Sequence, residues 1–436
     1  MDDSGKRNRK LRRELGLWGA VFMGLGSIVG TGVFVSTGIA AGSAGPLVIV
    51  AIILAALVAA CNGFSSAQLA AAHPVSGGTY EYGYRWLGAK AGFTAGWMFL
   101  CAKSASAATA ALGFAGYALS AFGAGNELRV PLALIVTVAV TVLILGGMRR
   151  TSRYNTVVVS LALAALVFFV LAGLPSAGRN AGANLVFASG GGGTSLPGFL
   201  EAVALMFVAY TGYGRIATLS EEVREPRRVI PRAIIVTLLV TMLLYVTVTA
   251  VAVAAAGASR FASYTSGEAA PLEMVAREFG VTGAGEILAV GAVAAMAGVL
   301  LNLILGLSRV WLAMGRRKDM PPLLAGLKGR SAQPVAAVVL TCGVICALVL
   351  IGDVKTTWSF SAFTVLVYYA LTNLSALKLT PEQRLFPRWV SWAGLFCCLF
   401  LAFWVKTSVM VAGLALIVFG LLWQRVAVKL QRQDIP

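Results

Sequence analysis

The residues best placed to do chemistry in this 436-residue chain are backbone groups exposed by glycine, more than reactive side chains. Gly24, Gly26, Gly30 and Gly32 fall close together, with Ser27, Ile28, Val29 and Thr31 between them. Each glycine costs a helix about 0.8–1.0 kcal/mol relative to alanine, so the cluster favours a local break. Backbone freed from a helix inside lipid must be buried or line a cavity. A small-residue packing face is the competing explanation. A second interruption, Phe207-Val208-Ala209-Tyr210-Thr211-Gly212-Tyr213-Gly214, lies midway along a later apolar segment. Two glycine-interrupted helices in corresponding positions point to a transporter site between repeats, which makes packing alone the weaker reading.

At such a break one half-helix offers free N–H groups and partial positive charge, and the other offers free C=O groups. A zwitterion matches both ends. The expected seat of a carboxylate is the N–H groups around Gly30, Thr31 and Gly32, with the Thr31 hydroxyl assisting. The expected acceptors for an α-ammonium are the carbonyls of Ile28, Val208 and Thr211, with Ser27 and Gly212 completing the candidate binding set.

One charged side chain stands out. Lys103 lies about midway along an apolar segment, in Cys101-Ala102-Lys103-Ser104-Ala105-Ser106. A lysine at a bilayer centre costs about 3 kcal/mol on insertion scales, which calls for an interior partner or a function. Three roles compete: proton coupling, attraction of an acidic substrate side chain, and a structural cation. The bland alternative is a snorkelling side chain.

Other chemistries have no footing. The chain has one histidine, His73, and six cysteines, all within apolar segments and without metal-type spacing, so neither a metal site nor a cofactor is expected. No Walker-type Gly-Lys-Ser/Thr run appears, and no histidine-based triad can be assembled beyond His73, so ATP-driven transport and hydrolysis fall away.

The elements that must position these groups are membrane helices. Hydrophobic residues make up 58% and charged residues 12%, against roughly 45–50% and about 25% in a soluble domain. Mean hydropathy is +0.84. Apolar stretches long enough to span lie near 14–42, 46–70, 90–122, 130–147, 155–174, 197–219, 233–256, 283–314, 334–352, 357–377, 388–405 and 407–424. The expected fold class is therefore an all-α polytopic membrane protein of about twelve transmembrane helices. Residues 1–13 form a basic tail, 14–425 one transmembrane domain and 426–436 a second tail.

The net charge of +18 is topological. Basic clusters occupy alternate loops, such as Arg149, Arg150 and Arg153, then Arg224, Arg227, Arg228 and Arg232, then Arg316, Arg317 and Lys318. This positive-inside pattern puts both termini in the cytoplasm and excludes a nucleic-acid partner as the reason for the charge. The expected location is a plasma membrane, of the prokaryotic inner-membrane kind. The first apolar stretch is too long for a cleaved signal and reads as a retained helix. The run from His73 to Tyr82 is a Pro/Gly turn followed by an aromatic, amphipathic segment, read either as a cover over the inner mouth or as a headgroup anchor. Residues 175–196 read as a long external loop, and 257–281 as a loop able to hold a short surface helix.

Several of these stretches resemble one family. Gly26-Ser27-Ile28-Val29-Gly30-Thr31-Gly32-Val33-Phe34 resembles the first-helix signature of amino acid permeases in the amino acid–polyamine–organocation superfamily. Phe207 to Gly212, Ile216-Ala217-Thr218-Leu219, Glu221-Glu222-Val223 and Pro226 to Ile234 are similar to that family's sixth helix and following loop. Pro74 with Gly77 to Tyr80, and Leu307-Ser308-Arg309 with Gly315-Arg316, add further likeness, which covers about residues 14–425.

The resemblance implies a leucine-transporter-type fold: a 5+5 inverted repeat, here 14–174 and 197–378, with broken first and sixth helices, then two extra helices over 388–425. It implies alternating access by movement of helices one, two, six and seven. The loop carrying Glu221, Glu222 and Arg228 would then hold inner-gate pairs, with a solvated loop as the alternative. It also exposes departures. Proton-coupled relatives often carry a lysine in the fifth helix, where this chain has Ala162, and a sodium site needs hydroxyls in the eighth helix, where 283–307 has none and Asn302 is the only amide. The sixth-helix position that is often acidic in the family is Gly214, which disfavours cationic side chains.

The reading is secondary active transport of amino acids by alternating access, neutral ones first and acidic ones or an amine second, with proton coupling or exchange. The partners are the substrate, the lipid bilayer and protons, in a monomer or weak homodimer. The alternative from another class is an amino acid sensor or partner subunit that binds without transporting.

Overall fold

The computed structural model describes residues 16–75, 77–147, 152–186, 195–218, 223–327 and 333–433. Among them, nine helical stretches are long and apolar enough to cross a membrane, and three shorter apolar helices, Leu17–Ile28, Val335–Val349 and Arg388–Ala402, accompany them. Side chains such as Ile135, Val142, Leu171 and Phe396 lie exposed on the outer faces. An apolar exterior of this kind suits lipid and not water.

In chain order the helices are α1 (Leu17–Ile28), α2 (Thr37–Ala44), α3 (Val48–Ala72), α4 (Thr79–Trp86), α5 (Ala89–Ala121), α6 (Arg129–Leu145), α7 (Ser152–Asn184), α8 (Leu196–Tyr210), α9 (Gly214–Thr218), α10 (Pro226–Ala256), α11 (Ala258–Glu268), α12 (Pro271–Arg277), α13 (Ala284–Arg316), α14 (Val335–Val349), α15 (Val354–Leu377), α16 (Arg388–Ala402) and α17 (Thr407–Gln433). Gly45, at φ 55°, followed by Pro46, turns the chain between α2 and α3. The positive φ is one that glycine adopts without strain. The start of α15 is fixed by Asp353, whose carboxylate accepts from the N–H groups of Lys355 and Thr356.

At the centre of the bundle α5 packs along α13 and α15. The sequence allows this because α5 is rich in alanine, glycine and serine, and nearly all of its inward positions are fully buried. Small side chains let membrane helices approach closely. Hydroxyls then stitch the seam: Ser106 bonds Ser361 at 2.8 Å, and the Thr109 hydroxyl donates to Thr357 Oγ1 at 2.8 Å. Around this pair, α10 lies against α3 and α7, and α1 lies against α10.

Three loop expectations change. The 175–196 segment is not a loop from its start, because α7 continues through Pro175 to Asn184; the Gly190 to Gly193 run lies outside the described residues. The 257–281 segment holds two helices, and the second is no surface element, since Leu272, Glu273 and Val275 of α12 are fully buried. The tyrosines of α4 are not headgroup anchors. Tyr80 and Tyr82 are buried in the protein, and Thr79 bonds Thr372 of α15 at 2.7 Å. This short helix packs on α5 and α15, with Tyr84 and Trp86 only partly buried.

Candidate functional site

The first interruption falls between Ile28, the last residue of α1, and Gly32. Val29 is extended at φ −74°, ψ 104°. The chain resumes as one widened helical turn over Gly32–Ser36 before α2. Both Val33 N–H and Phe34 N–H donate to the Gly30 carbonyl, at 3.1 and 3.0 Å. Side-chain hydroxyls serve the carbonyls of the widened turn, with Ser36 donating to Gly32 O and Thr37 to Val33 O. The second interruption is a tight three-residue turn, Thr211–Tyr213, joining α8 to α9.

The two interruptions meet. A Cβ on Gly212 would stand 2.4 Å from the Ser27 carbonyl oxygen, and one on Gly24 would stand 2.7 Å from Ile216 Cδ1. The Gly212 contact is with backbone, which only glycine fits, whereas the Gly24 contact is with a side-chain tip. Gly30 and Gly32 are closed over in the same way, the first by Val299 and the second by Tyr245. Break and packing thus turn out to be one device, since the glycines that weaken the helices also let the broken ends touch.

Tyrosine hydroxyls from other helices hold the freed carbonyls. Tyr245 of α10 donates to Ile28 O at 2.9 Å and lies 3.4 Å from Ala209 O. Tyr369 of α15 donates to Thr211 O at 3.3 Å, and Tyr117 of α5 donates to Phe34 O at 2.6 Å. The Thr211 hydroxyl donates to Val208 O at 2.7 Å. All three carbonyls expected to receive an α-ammonium, those of Ile28, Val208 and Thr211, therefore already accept a bond from within the protein. The sequence offered a clue in the form of tyrosines inside apolar helices, whose buried hydroxyls must find acceptors.

A cavity of about 330 Å³ begins at this crossing. Its head is formed by Ser27, Lys103, Thr211, Gly212 and Asn302, with Phe99 and Val299 as apolar wall, and it extends to Gly77, Arg309 and Arg316 at one end of the bundle. That volume suits a small molecule. Lys103, half-buried, donates from Nζ to Thr211 Oγ1 at 2.9 Å. Asn302 donates to Gly26 O at 3.3 Å, while its buried Oδ1 has no partner. No Asp or Glu is among the described residues lining the cavity.

Of the residues expected to bind, Ser27, Thr211 and Gly212 line the cavity together with Lys103, whereas Ile28, Gly30, Thr31, Gly32 and Val208 do not. Thr31 is buried and its hydroxyl has no partner. Ala162 is buried and packs beside Gly291 of α13, so the site of the missing lysine is filled by helix contact. Glu221 and Glu222 lie outside the described residues. Arg228 pairs with Glu225 at 3.6 Å, but both side chains are mostly exposed, at 77% and 70%. Such a pair contributes little.

A polar cluster that sequence reading missed sits near the open end. Asp319, in the turn after α13, accepts hydroxyl bonds from Tyr80 at 2.7 Å and Tyr84 at 2.5 Å, both on α4. Arg317 lies 4.4 Å from the centre of the Tyr84 ring and pairs with Glu81. Trp423 of α17 donates to the Asp319 carbonyl at 3.0 Å. Desolvation raises the Asp319 carboxyl above its ordinary range, against the lowering effect of the two tyrosine bonds.

A helical, lipid-facing bundle with two broken helices meeting on an internal cavity defines a membrane carrier. Residues 19–435 match the family model described as "Amino acid permease". The chain belongs to the amino acid permease family, within the amino acid–polyamine–organocation superfamily, and is a multi-pass transporter and not an enzyme. It is 39% identical to an uncharacterized transporter of Mycobacterium tuberculosis, over 94% of this chain and 90% of that protein. It is 30% identical to the branched-chain amino acid permease BcaP of Bacillus subtilis, over 76% and 72%. It is 26% identical to the vacuolar cationic amino acid transporter 4 of Arabidopsis thaliana, over 79% of this chain and 59% of that protein.

Proposed function

We propose that the chain is a secondary active transporter that carries amino acids by alternating access between the two broken helices. The observation that carries this reading is the backbone contact of Gly212 with Ser27 at the head of a cavity open toward Arg309 and Arg316. With the basic end cytoplasmic, as the charge pattern requires, this is a state open to the inside of a bacterial plasma membrane, with both termini on that side. Twelve spans result when α1 with α2, and α8 with α9, each count as one broken span and the short helices α4, α11 and α12 are left out of the count. The 5+5 inverted repeat followed by α16 and α17 is the arrangement this count fits.

The lining supports a choice of substrate. With no carboxylate among its described residues, the cavity disfavours a cationic side chain, whatever relatives named for cationic amino acids accept. Phe99, Val299 and Leu303 supply an apolar wall for a neutral side chain. Proton coupling or exchange supplies the driving force, with Lys103 as the membrane-embedded group available to sense either. The reading is tested with purified protein in liposomes, by uptake of labelled amino acids with and without a proton gradient and with and without internal amino acid. Binding without any uptake under all four conditions would favour a sensor instead.

A further inference from the structure

We infer that Gly306 sets the bore of the cavity between its head and its basic end, and with it the largest amino acid side chain that the carrier lets pass on that side. The inference rests on the amino acid transport proposed above and deepens it by assigning a residue that limits substrate size.

Among the described residues, Gly77, Gly212, Gly214 and Gly306 are the glycines that line the cavity, and the first three serve the fold. Gly77 has φ 129°, a conformation that other residues avoid. Gly212 faces the Ser27 carbonyl, and a Cβ on Gly214 would stand 3.2 Å from the Tyr369 hydroxyl. Gly306 differs. Outside its own helix, a Cβ there would meet nothing among the described residues closer than Arg215 Nη1, at 3.8 Å.

That separation is ordinary van der Waals contact with the tip of a flexible side chain, so neither packing nor room for Arg215 requires glycine. The backbone does not require it either. Gly306 lies inside α13 without a positive φ, and glycine is a poorer residue for a helix interior than alanine. A residue that weakens its helix and answers no local need points to the space its missing side chain leaves open. That space is the cavity.

Its position gives the space a function. Val299, Leu303, Gly306, Val310 and Ala313 line the cavity at steps of three and four residues, so one face of α13 runs along it. At about 1.5 Å per residue, Gly306 lies about 10 Å beyond Val299 at the head and about 15 Å before Arg316 at the basic end. Leu303 and Val310 flank it on the same wall, which makes Gly306 a recess between two branched side chains. A side chain there would extend from α13 toward Arg215 of α9 and narrow the cavity from one side. Small substrates would still clear that level, and large ones would not.

Uptake of labelled alanine, leucine and phenylalanine into liposomes is measured for wild type, Gly306→Ala, Gly306→Val and Gly306→Leu. The ratio of smaller to larger substrate carried should rise stepwise with the size of the residue at 306, by about tenfold or more in Gly306→Leu. Gly306→Ala should unfold at the wild-type temperature or above it. Equal losses for all three substrates, an unchanged ratio, or a lowered unfolding temperature in Gly306→Ala would each overturn the inference. Wild type that moves no amino acid overturns the parent proposal instead.

A second measurement builds the obstruction after folding is complete. Gly306→Cys, which adds little volume, is treated in liposomes with methyl, propyl and benzyl methanethiosulfonates, and wild type is the control for the six native cysteines. Longer adducts should stop phenylalanine uptake before alanine uptake. A Gly306→Cys variant that stays unreactive, or that is modified and keeps uptake of both, would overturn the inference.

Discussion

The α-carbon of Gly212 faces the carbonyl oxygen of Ser27 so closely that a single added carbon would stand 2.4 Å from it. The two broken helices therefore meet backbone to backbone, and the contact leaves no slack. Gly212→Ala is expected to lower stability by about 1–3 kcal/mol, the usual effect of overpacking. Thermal unfolding in detergent checks this.

Thr211→Val keeps the shape of residue 211 and deletes the hydroxyl that joins Lys103 to Val208 O. Hydrogen bonds to charged groups contribute about 1.5–3 kcal/mol. Substrate affinity should fall about tenfold or more in this variant and return in Thr211→Ser. Equilibrium binding to purified protein measures it, with gel-filtration behaviour as the check on folding.

Tyr245→Phe removes the donor that holds Ile28 O. The carbonyl is then left buried without that bond, at a cost of about 1–3 kcal/mol. The unfolding temperature should drop, and Tyr117→Phe, which frees Phe34 O and the Leu272 N–H contact, should behave alike. Differential scanning of the two variants beside wild type decides the matter.

Asp319 gives the chain a pH signature. Its carboxyl is raised in the folded state by desolvation, so the folded protein binds a proton more readily than the unfolded chain does. By linkage, this contribution to stability is fully present below the unfolded value of about 3.9. It is lost as pH rises from there through the raised folded value, and is flat above it. Asp319→Asn should flatten that part of the stability curve. It also weakens the acceptor of Tyr80 and Tyr84, so the variant should be more easily cleaved by protease around α4. Limited proteolysis and unfolding temperature across a pH series test both.

The interruptions themselves were legible in sequence because glycine weakens helices in a way that composition reveals, and Lys103 was legible because a charge in an apolar run has few explanations. What the groups touch was not. Tyr245 reaches Ile28 and Tyr369 reaches Thr211 across long sequence separations, and no local pattern encodes which carbonyl a distant hydroxyl meets. This is why the carbonyls of Ile28 and Thr211 looked open when read along the chain, whereas Val208 O is met locally by the Thr211 hydroxyl. The same limit hid the Asp319 cluster, whose parts come from α4, the turn after α13, and α17. Conversely, α7 ran past Pro175 because a proline within a membrane helix can be tolerated when neighbours re-satisfy the backbone.

The tyrosine hydroxyls carry a kinetic consequence. A carrier that works in cycles must make one crossing unloaded, and at that moment the broken helices have no cargo to satisfy their open carbonyls. Here Tyr245, Tyr369 and Tyr117 already serve the carbonyls of Ile28, Thr211 and Phe34. Bare carbonyls in a dry interior would cost several kcal/mol each. On the alternating-access reading proposed above, an empty site in this state therefore carries no penalty from bare carbonyls at Ile28, Thr211 and Phe34.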